Sequence, residues 1–528
     1  MAIFAQTREE WAIADLAIAL AGAVSVPVYP TLTAEQVGHV LVDSGARAAF
    51  VEGAEQRDVV LAESRADLVR IVVFDAAAVG GDPRVVSLGE LGRPERAADV
   101  AAREAQVRPG DLATIIYTSG TSGQAKGVML THGALAHEIE ALGSVLPLTA
   151  RDEQLLFLPL AHVLGRVLLL AALEVGYATA FARSLAHVLD DLAEVEPTFF
   201  ASVPRLYEKI HAVAVDNASS EGPVKERLYR WAIRVGAERS AAARSGGWVG
   251  PRLAVAHRYA DQLVLSKVRA RFGRRLRFAI SGGAPLAREL AEWFHACGVL
   301  VLEGYGLTET CAATHVNRPG AFRFGTVGQP VPGVEVAIAA DGEVLLRGPT
   351  IMRGYFGQPD ATADALDAQG YLHSGDIGRV DADGFLAITD RKKDMIVTAG
   401  GKNVAPQNLE AMLQKSPWIE QAVILGDGRK HLVALIALDV AAATRWAREH
   451  GRPDDLASLS HDPELRALVE IDVDAVNRKL AKFEAIKRVA ILDRELTIEG
   501  GELTPTHKVR RKVVEARCAS LLDSLYAG

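Results

Sequence analysis

Stretches of helical spacing and short apolar runs alternate from Trp11 onward, and this alternation restricts the fold of the chain more than any other feature. Trp11, Ile13, Leu16, Ala17 and Leu20 recur at helical intervals within Trp11–Ala23, and Val24-Ser-Val-Pro-Val28 then has the character of a buried strand. Thr33–Gly45 is expected to be a second helix, with Thr33 placed to cap it and Glu35 in its first turn. Arg47–Val51 and Leu68–Phe74 are expected to be further strands. The pattern predicts an α/β fold, a large layered domain with mainly parallel sheets. The 528 residues also exceed what one hydrophobic core usually organises, so a second domain is expected.

Composition narrows the function classes. Hydrophobic residues make up 49% and charged residues 23%, as in ordinary soluble globular proteins. The net charge of −8 gives no electrostatic reason for a nucleic-acid partner. Cys297, Cys311 and Cys518 are too far apart for a disulfide framework or a metal-ligand pattern, which fits a reducing cytoplasm. The first ten residues lack the basic flank and apolar core of a signal peptide. The most apolar run, Leu155–Leu173, is broken by Pro159, His162 and Arg166, so it predicts a core strand, a loop and a buried helix rather than a membrane span.

The chemistry concentrates in Tyr117-Thr-Ser-Gly-Thr-Ser-Gly-Gln-Ala-Lys-Gly-Val-Met-Leu-Thr-His132, which follows the strand-like run Leu112–Tyr117. Gly120, Gly123 and Gly127 allow backbone angles and close approaches closed to other residues. Thr118, Ser119, Thr121, Ser122 and Lys126 supply donors suited to phosphate oxygens, and successive N–H groups in such a loop form an anion-binding concavity. The spacing departs from the Walker pattern, because the lysine precedes its glycine and no Ser or Thr follows it. The sixteen residues resemble the phosphate-loop signature of the adenylate-forming (AMP-binding) superfamily, which includes acyl-CoA synthetases, firefly luciferase and peptide-synthetase adenylation domains.

Further blocks follow in the order of that family. Phe157-Leu-Pro-Leu-Ala-His162 is expected to end a strand, and the resemblance puts His162 beside the bound carboxylate. Ser202-Val-Pro-Arg-Leu-Tyr-Glu-Lys-Ile210 is similar to a segment of the long-chain fatty acyl-CoA synthetase branch; the polar, Arg-rich residues 216–250 after it are expected to be a surface excursion with a solvated face. Ser281-Gly-Gly-Ala-Pro-Leu286 and Glu303-Gly-Tyr-Gly-Leu-Thr-Glu-Thr310 are strand-to-turn junctions, where α/β proteins place ligands. Tyr305 offers a flat face to a purine, Gly282 and Gly283 let backbone approach it, and the Glu309 carboxylate suits magnesium. His373-Ser-Gly-Asp-Ile377 and the stretch from Phe385 to Pro406 bring Asp376, a double acceptor for ribose hydroxyls, and Arg391, a rigid donor fork. Near the C-terminus, Lys508 in Leu503-Thr-Pro-Thr-His-Lys-Val-Arg-Arg-Lys512 matches the family's adenylation lysine by motif spacing, with Lys512 as its rival.

The resemblance implies an adenylate-forming domain over 1–390, a hinge at 391–393 centred on Lys393, and a small α+β C-terminal lid over 394–528. It implies ATP, Mg2+ and coenzyme A: a carboxylate attacks the α-phosphate to give acyl-AMP and pyrophosphate, then coenzyme A takes the acyl group and releases AMP. The implied site comprises catalytic Lys508, Glu309 and His162; nucleotide-binding Thr118, Ser119, Gly120, Thr121, Ser122, Gly123, Lys126, Gly282, Gly283, Ala284, Tyr305, Gly306, Thr308, Asp376 and Arg391; and a coenzyme A path along Gly400 and Gly401, with Glu309 also the metal ligand. The 157–165 block has no acidic residue for an amino group, which disfavours an amino acid, and the Val203–Tyr207 block points to a medium- or long-chain fatty acid. The alternatives are an acyl-AMP ligase that loads a carrier protein, a coenzyme A ligase for an aryl or branched acid, and a degenerate nucleotide sensor. Retention of Glu309, Asp376, Arg391 and Lys508 together opposes the last. A cytoplasmic protein without a transmembrane segment is expected, with peripheral contact at the inner face of a membrane left open. Family members usually carry additional residues ahead of the region matching Arg8–Trp11, so the resemblance also predicts either a longer true N-terminus or an incomplete large domain.

Overall fold

The structure, a computed structural model, describes residues 1–91, 97–118, 125–220, 222–399, 402–482, 484–504 and 509–527. The chain divides into two compact units. The first comprises Met1–Ala339, Leu345–Ser374 and Val380–Ala387; the second comprises Ala340–Val344, Gly375–Arg379 and Ile388–Gly528.

The first unit opens with an all-parallel sheet of β1 (Ala2–Phe4), β2 (Val26–Val28), β3 (Ala48–Val51), β4 (Arg70–Val73) and β5 (Val85–Ser87) in the order β2-β1-β3-β4-β5. Helices Glu9–Leu20, Ala34–Asp43 and Ala54–Ala62 make the crossovers, as the alternation predicts. Thr33 caps its helix by accepting from the Gln36 N–H, and Gln36 reaches back to the Thr33 N–H. β1 escaped the sequence reading because three residues at a chain end show no measurable period. β6 (Leu112–Thr118) and β7 (Lys126–Thr131) form an antiparallel pair with the short strand Gly354–Tyr355 beside β7.

The larger sheet of this unit contains β8 (Glu153–Leu156), β9 (Ala178–Phe181), β10 (Phe199–Ser202), β11 (Phe278–Ser281), β12 (Val301–Leu307), β13 (Ala312–Val316) and β14 (Gln329–Pro330). Its order is β14-β13-β12-β11-β10-β8-β9. Strands β8 to β12 are mutually parallel, and β13 and β14 add an antiparallel edge. Its core is aromatic: Phe199 stacks on Phe278, and Phe200 on Tyr207 and Phe272. The expectation that Phe157–His162 ends a strand is corrected. β8 stops at Leu156, and His162 N–H donates to the Pro159 carbonyl in a turn that starts helix Val163–Val175. Arg166 in that helix is buried and forms a two-pronged ion pair with Asp15 while donating to the Ser25 hydroxyl. That explains how a charge sits in so apolar a run. The 216–250 stretch is largely helical, covered by helices Pro204–Ser220 and Pro223–Arg244.

The second unit has its own core. Strands Ile419–Leu425, Leu432–Leu438 and Ile486–Ile491 form one sheet, with helices Pro406–Leu413, Val440–Glu449 and Pro463–Asn477 packed around it. Helix Pro463–Asn477 ends at Asn477, whose side chain turns to bond both backbone groups of Ile486. All three cysteines are reduced and buried; burial pushes the Cys297 thiol up to about 12 and the Cys311 thiol well above its ordinary value. Among the described residues, no helix is long and apolar enough to cross a membrane.

Candidate active site

The sequence of the glycine loop places donors between two strands, and the structure shows where its ends are held. Thr118 at the end of β6 pairs with Lys126 at the start of β7. Ser119, Gly120, Thr121, Ser122 and Gly123 lie outside the described residues. Gly127 has a packing reason rather than a ligand reason: a Cβ there would stand 2.7 Å from Ile115 Cγ2 and 3.1 Å from the Tyr117 ring. The Lys126 ammonium lies over the Tyr355 ring, 4.9 Å from its centre. The Tyr355 hydroxyl in turn donates to Glu309 Oε1 at 2.9 Å. Burial first, and the Glu309 carboxylate second, push the Tyr355 hydroxyl well above its ordinary value. Tyr355 therefore ties the phosphate loop's lysine to the expected metal ligand. Sequence reasoning passed over it, although an aromatic pair flanked by Gly354 and Gly357 was a usable signal.

The residues from Gly282 to Thr308 that are expected to bind nucleotide lie at the carboxyl ends of β11 and β12, beside that of β10. Ser202, Ser281 and Glu303 stand side by side in register across these strands. Both serine hydroxyls are buried without a partner. Gly282 donates its N–H to the Ser202 carbonyl, and a Cβ on it would meet the Leu164 side chain at 3.2 Å. Leu164 lies two residues beyond His162, so the histidine block and the Gly282 block pack together. Gly283 has φ +79°, which a side chain would strain, and Ala284 follows half-buried. Glu303 Oε1 accepts from the Leu286 N–H at 2.9 Å and closes the Ser281–Leu286 turn; burial pushes its carboxyl up to about 8.

β12 carries Tyr305, which pairs with His315 on β13; the register then shifts at Gly306, which pairs with Ala313 and leaves Thr314 of β13 as the extra residue. A Cβ on Gly306 would fall 1.4 Å from the Ala312 carbonyl oxygen, so only glycine fits. Thr308 and Glu309 sit in the one-turn helix Thr308–Thr310, which the Thr310 hydroxyl closes by accepting from the Leu307 N–H. Strain follows at once: Cys311 has φ +61° and Ala312 φ +99°. The next N–H, of Ala313, donates to the fully buried Glu138 carboxyl at 2.7 Å, which burial raises well above its ordinary value. His162 is half-buried at the start of its helix, and its Nδ1 accepts from the Leu164 N–H at 3.2 Å.

In the second unit Arg391 Nε donates to Asp376 Oδ1 at 2.7 Å, with the aspartate 3% and the arginine 30% exposed. The two residues expected to hold ribose are thus brought together. Asp376 belongs to Gly375–Arg379, a segment that precedes the expected 390 boundary yet lies in this unit. Lys392 pairs with Asp341 and Glu343 of the same unit, and exposed Lys393 follows in the one-turn helix Lys392–Asp394. Buried Asp390 beside them has an unpartnered Oδ2, and burial raises it to about 7. Gly400, Gly401 and Lys508 lie outside the described residues. Lys512 is exposed on helix Arg511–Arg517, whose first residue is clamped by Glu410 at 2.6 Å and by the Ile424 carbonyl at 3.1 Å.

No group of three or more His, Cys, Asp or Glu side chains able to cage a metal occurs among the described residues. Glu309 fits a different arrangement, a hard carboxylate half-exposed in a turn, with one oxygen oriented by Tyr355. That suits magnesium, which binds through one or two carboxylates together with substrate phosphates and water.

Parallel strands ending in glycine turns, a tethered glutamate and an Asp–Arg pair define a nucleotide-using α/β enzyme, and comparison with known proteins agrees. The chain belongs to the AMP-binding enzyme family, matching its main domain over residues 1–356 and its C-terminal domain over 393–528. It is 40% identical to the long-chain-fatty-acid–CoA ligase FadD15 of Mycobacterium tuberculosis, over 99% of this chain and 87% of that protein. It is 33% identical to the peroxisomal long chain acyl-CoA synthetase 6 of Arabidopsis thaliana, over 99% and 77%. Among solved structures, the o-succinylbenzoate CoA synthetase of Bacillus subtilis with its acyl-adenylate superposes with a TM-score of 0.68 at 22% identity, covering 97% of this chain and 87% of that one. The A-PCP didomain of the Segniliparus rugosus carboxylic acid reductase gives 0.73 at 23%, covering 100% and 72%. These structures carry the fold.

Proposed function

We propose that this protein is an AMP-forming acid–thiol ligase that converts a medium- or long-chain fatty acid to its coenzyme A thioester in the cytoplasm. The observation that carries this reading is the 40% identity to a long-chain-fatty-acid–CoA ligase along 99% of the chain. In the first half-reaction a carboxylate oxygen attacks the α-phosphorus of ATP, the bond to the bridging oxygen breaks, and pyrophosphate leaves. In the second, the sulfur of coenzyme A attacks the acyl carbonyl, the acyl–phosphate bond breaks, and AMP leaves while the thiol proton goes to solvent.

The protein supplies position and charge. The loop from Thr118 to Lys126 holds the β- and γ-phosphates, and Gly282, Gly283, Ala284, Tyr305, Gly306 and Thr308 border the purine. Asp376 and Arg391 take the ribose. Magnesium on Glu309 would neutralise phosphate charge. Lys508 bridges carboxylate and α-phosphate, and His162 stands on the substrate side. Gly400 and Gly401 line the thiol's path, and residues 391–393, centred on Lys393, are the hinge between a domain over 1–390 and one over 394–528. The test is ATP–pyrophosphate exchange over a panel of acids, followed by thioester formation. Each methylene buried in an apolar tunnel adds up to about 0.8 kcal/mol, close to fourfold in affinity, so specificity should climb steeply from a C8 to a C16 acid. Equal turnover of acetate, benzoate and palmitate removes the fatty-acid assignment. Exchange without thioester formation would instead assign the acyl-AMP to a carrier protein.

A further inference from the structure

Helices Pro223–Arg244 and Pro251–Ala260 lie against each other as a hairpin, and residues 245–250 form its tip. The hairpin is firmly seated. A Cβ on Gly236 would stand 2.3 Å from the Ala296 carbonyl oxygen, so the first helix lies tight against the end of helix Arg288–Ala296, and Trp293 Nε1 donates to the Tyr229 hydroxyl. What it turns outward is unusual. Trp248 at the tip is 82% exposed. Along the second helix and the π turn Asp261–Leu265 that continues it, Val255 (58%), Tyr259 (58%) and Leu263 (45%) recur every fourth residue and form one exposed apolar stripe.

The surroundings are basic. Arg252 and Arg258 are exposed on the same helix. Asp261, the acid of this run, has its carboxylate taken up by Arg269 at 2.6 Å and 2.9 Å. Residues 223–275 hold thirteen Lys and Arg against three Asp and Glu, in a chain whose net charge is −8. We propose that the Trp248 tip and the Val255–Tyr259–Leu263 stripe form a docking surface for an anionic lipid bilayer. Each element of the surface has a function there. Trp and Tyr settle at the headgroup level, the aliphatic side chains insert shallowly, and the flanking arginines meet lipid phosphates. A protein partner fits less well. The stripe spans eight residues of helix, about 12 Å, whereas a stable protein interface engages roughly 20–30 residues a side. The inference goes beyond the proposed activity and does not depend on which acid is the substrate.

Flotation of the full chain with phosphatidylcholine vesicles, with and without phosphatidylglycerol, tests it. The expected result is recovery with the anionic vesicles at low salt and release at high salt. Arg252→Glu with Arg258→Glu should lower that recovery by about tenfold or more. Trp248→Ser with Val255→Ser should do the same while leaving the melting temperature and pyrophosphate exchange on a soluble short acid unchanged, since both residues are already more than half exposed. A wild-type chain that stays in the unbound fraction with anionic vesicles overturns the proposal and leaves the surface to a protein partner. Equal recovery of wild type and both double variants overturns it too, by placing the contact elsewhere.

Discussion

Tyr355 shows how one hydroxyl can position a site without touching the reacting atoms. Its bond orients the Glu309 carboxylate, and a hydrogen bond to a charged group is worth about 1.5–3 kcal/mol. Tyr355→Phe should therefore raise the Mg·ATP concentration needed for half-maximal pyrophosphate exchange by about tenfold. The apparent KM for the acid should barely move, and a change confined to the acid would detach Tyr355 from the nucleotide. Glu303 gives a prediction in pH. Its carboxyl is raised from 4.5 to about 8 in the folded chain, so folding favours the protonated form. The stability this gives is fully present below pH 4.5, declines as pH rises toward 8, and is gone above. Glu303→Gln keeps an acceptor for the Leu286 N–H and cannot ionise. It should match the wild type in melting temperature near pH 5 and exceed it above pH 8; parallel pH curves would refute the assignment.

At the scale of elements, the sequence pattern separated helix from strand wherever a face was buried and several residues long. Strand Leu432–Leu438 is one continuous apolar run, and Ile419–Leu425 ends in another, Ala422–Leu425, after Glu420 and Gln421. β7 was hidden inside the loop signature, since its glycine and lysine looked like ligand chemistry. The consequence is testable: Gly127→Ala must displace Ile115 or the Tyr117 ring, costing about 1–3 kcal/mol of stability. It should lower the melting temperature while sparing the KM for ATP. The same reasoning separates two lysines near the C-terminus. Lys512 points from the exposed side of a short helix, so Lys512→Ala should leave both half-reactions intact. Lys508→Ala should slow adenylate formation about 100- to 1000-fold yet spare thioester formation from supplied acyl-adenylate. Reversed results would shift the C-terminal motif by four residues.

Across the whole molecule, the residue types of the candidate site stand out in the sequence, but the side chains that support them do not. Motifs name groups that meet a ligand, so Glu309, Asp376 and Arg391 stood out from their spacing. Glu138, Glu303 and Tyr355 act on backbone or on other side chains from positions far away in the chain, and such contacts exist only once strands are in register. Fold class was legible for the opposite reason, because alternation is a local property repeated many times. The two-unit division was only partly so: Gly375–Arg379 joins the second unit through pairings such as Asp376–Arg391, which no composition shift announces.

The burial of all three cysteines has a practical side. A thiolate, not a thiol, reacts with an aromatic disulfide reagent, and Cys297, Cys311 and Cys518 are both covered and held in the thiol form. The native protein should give no colour with such a reagent over the time of an assay, and three equivalents once unfolded. Free coenzyme A thiol remaining at successive times can then be measured in aliquots mixed with the reagent, which is kept out of the reaction because it would itself consume the coenzyme A, with no background from the folded catalyst. An immediate titration of protein thiols in the folded state would show that these side chains are reached by routes the static packing does not reveal.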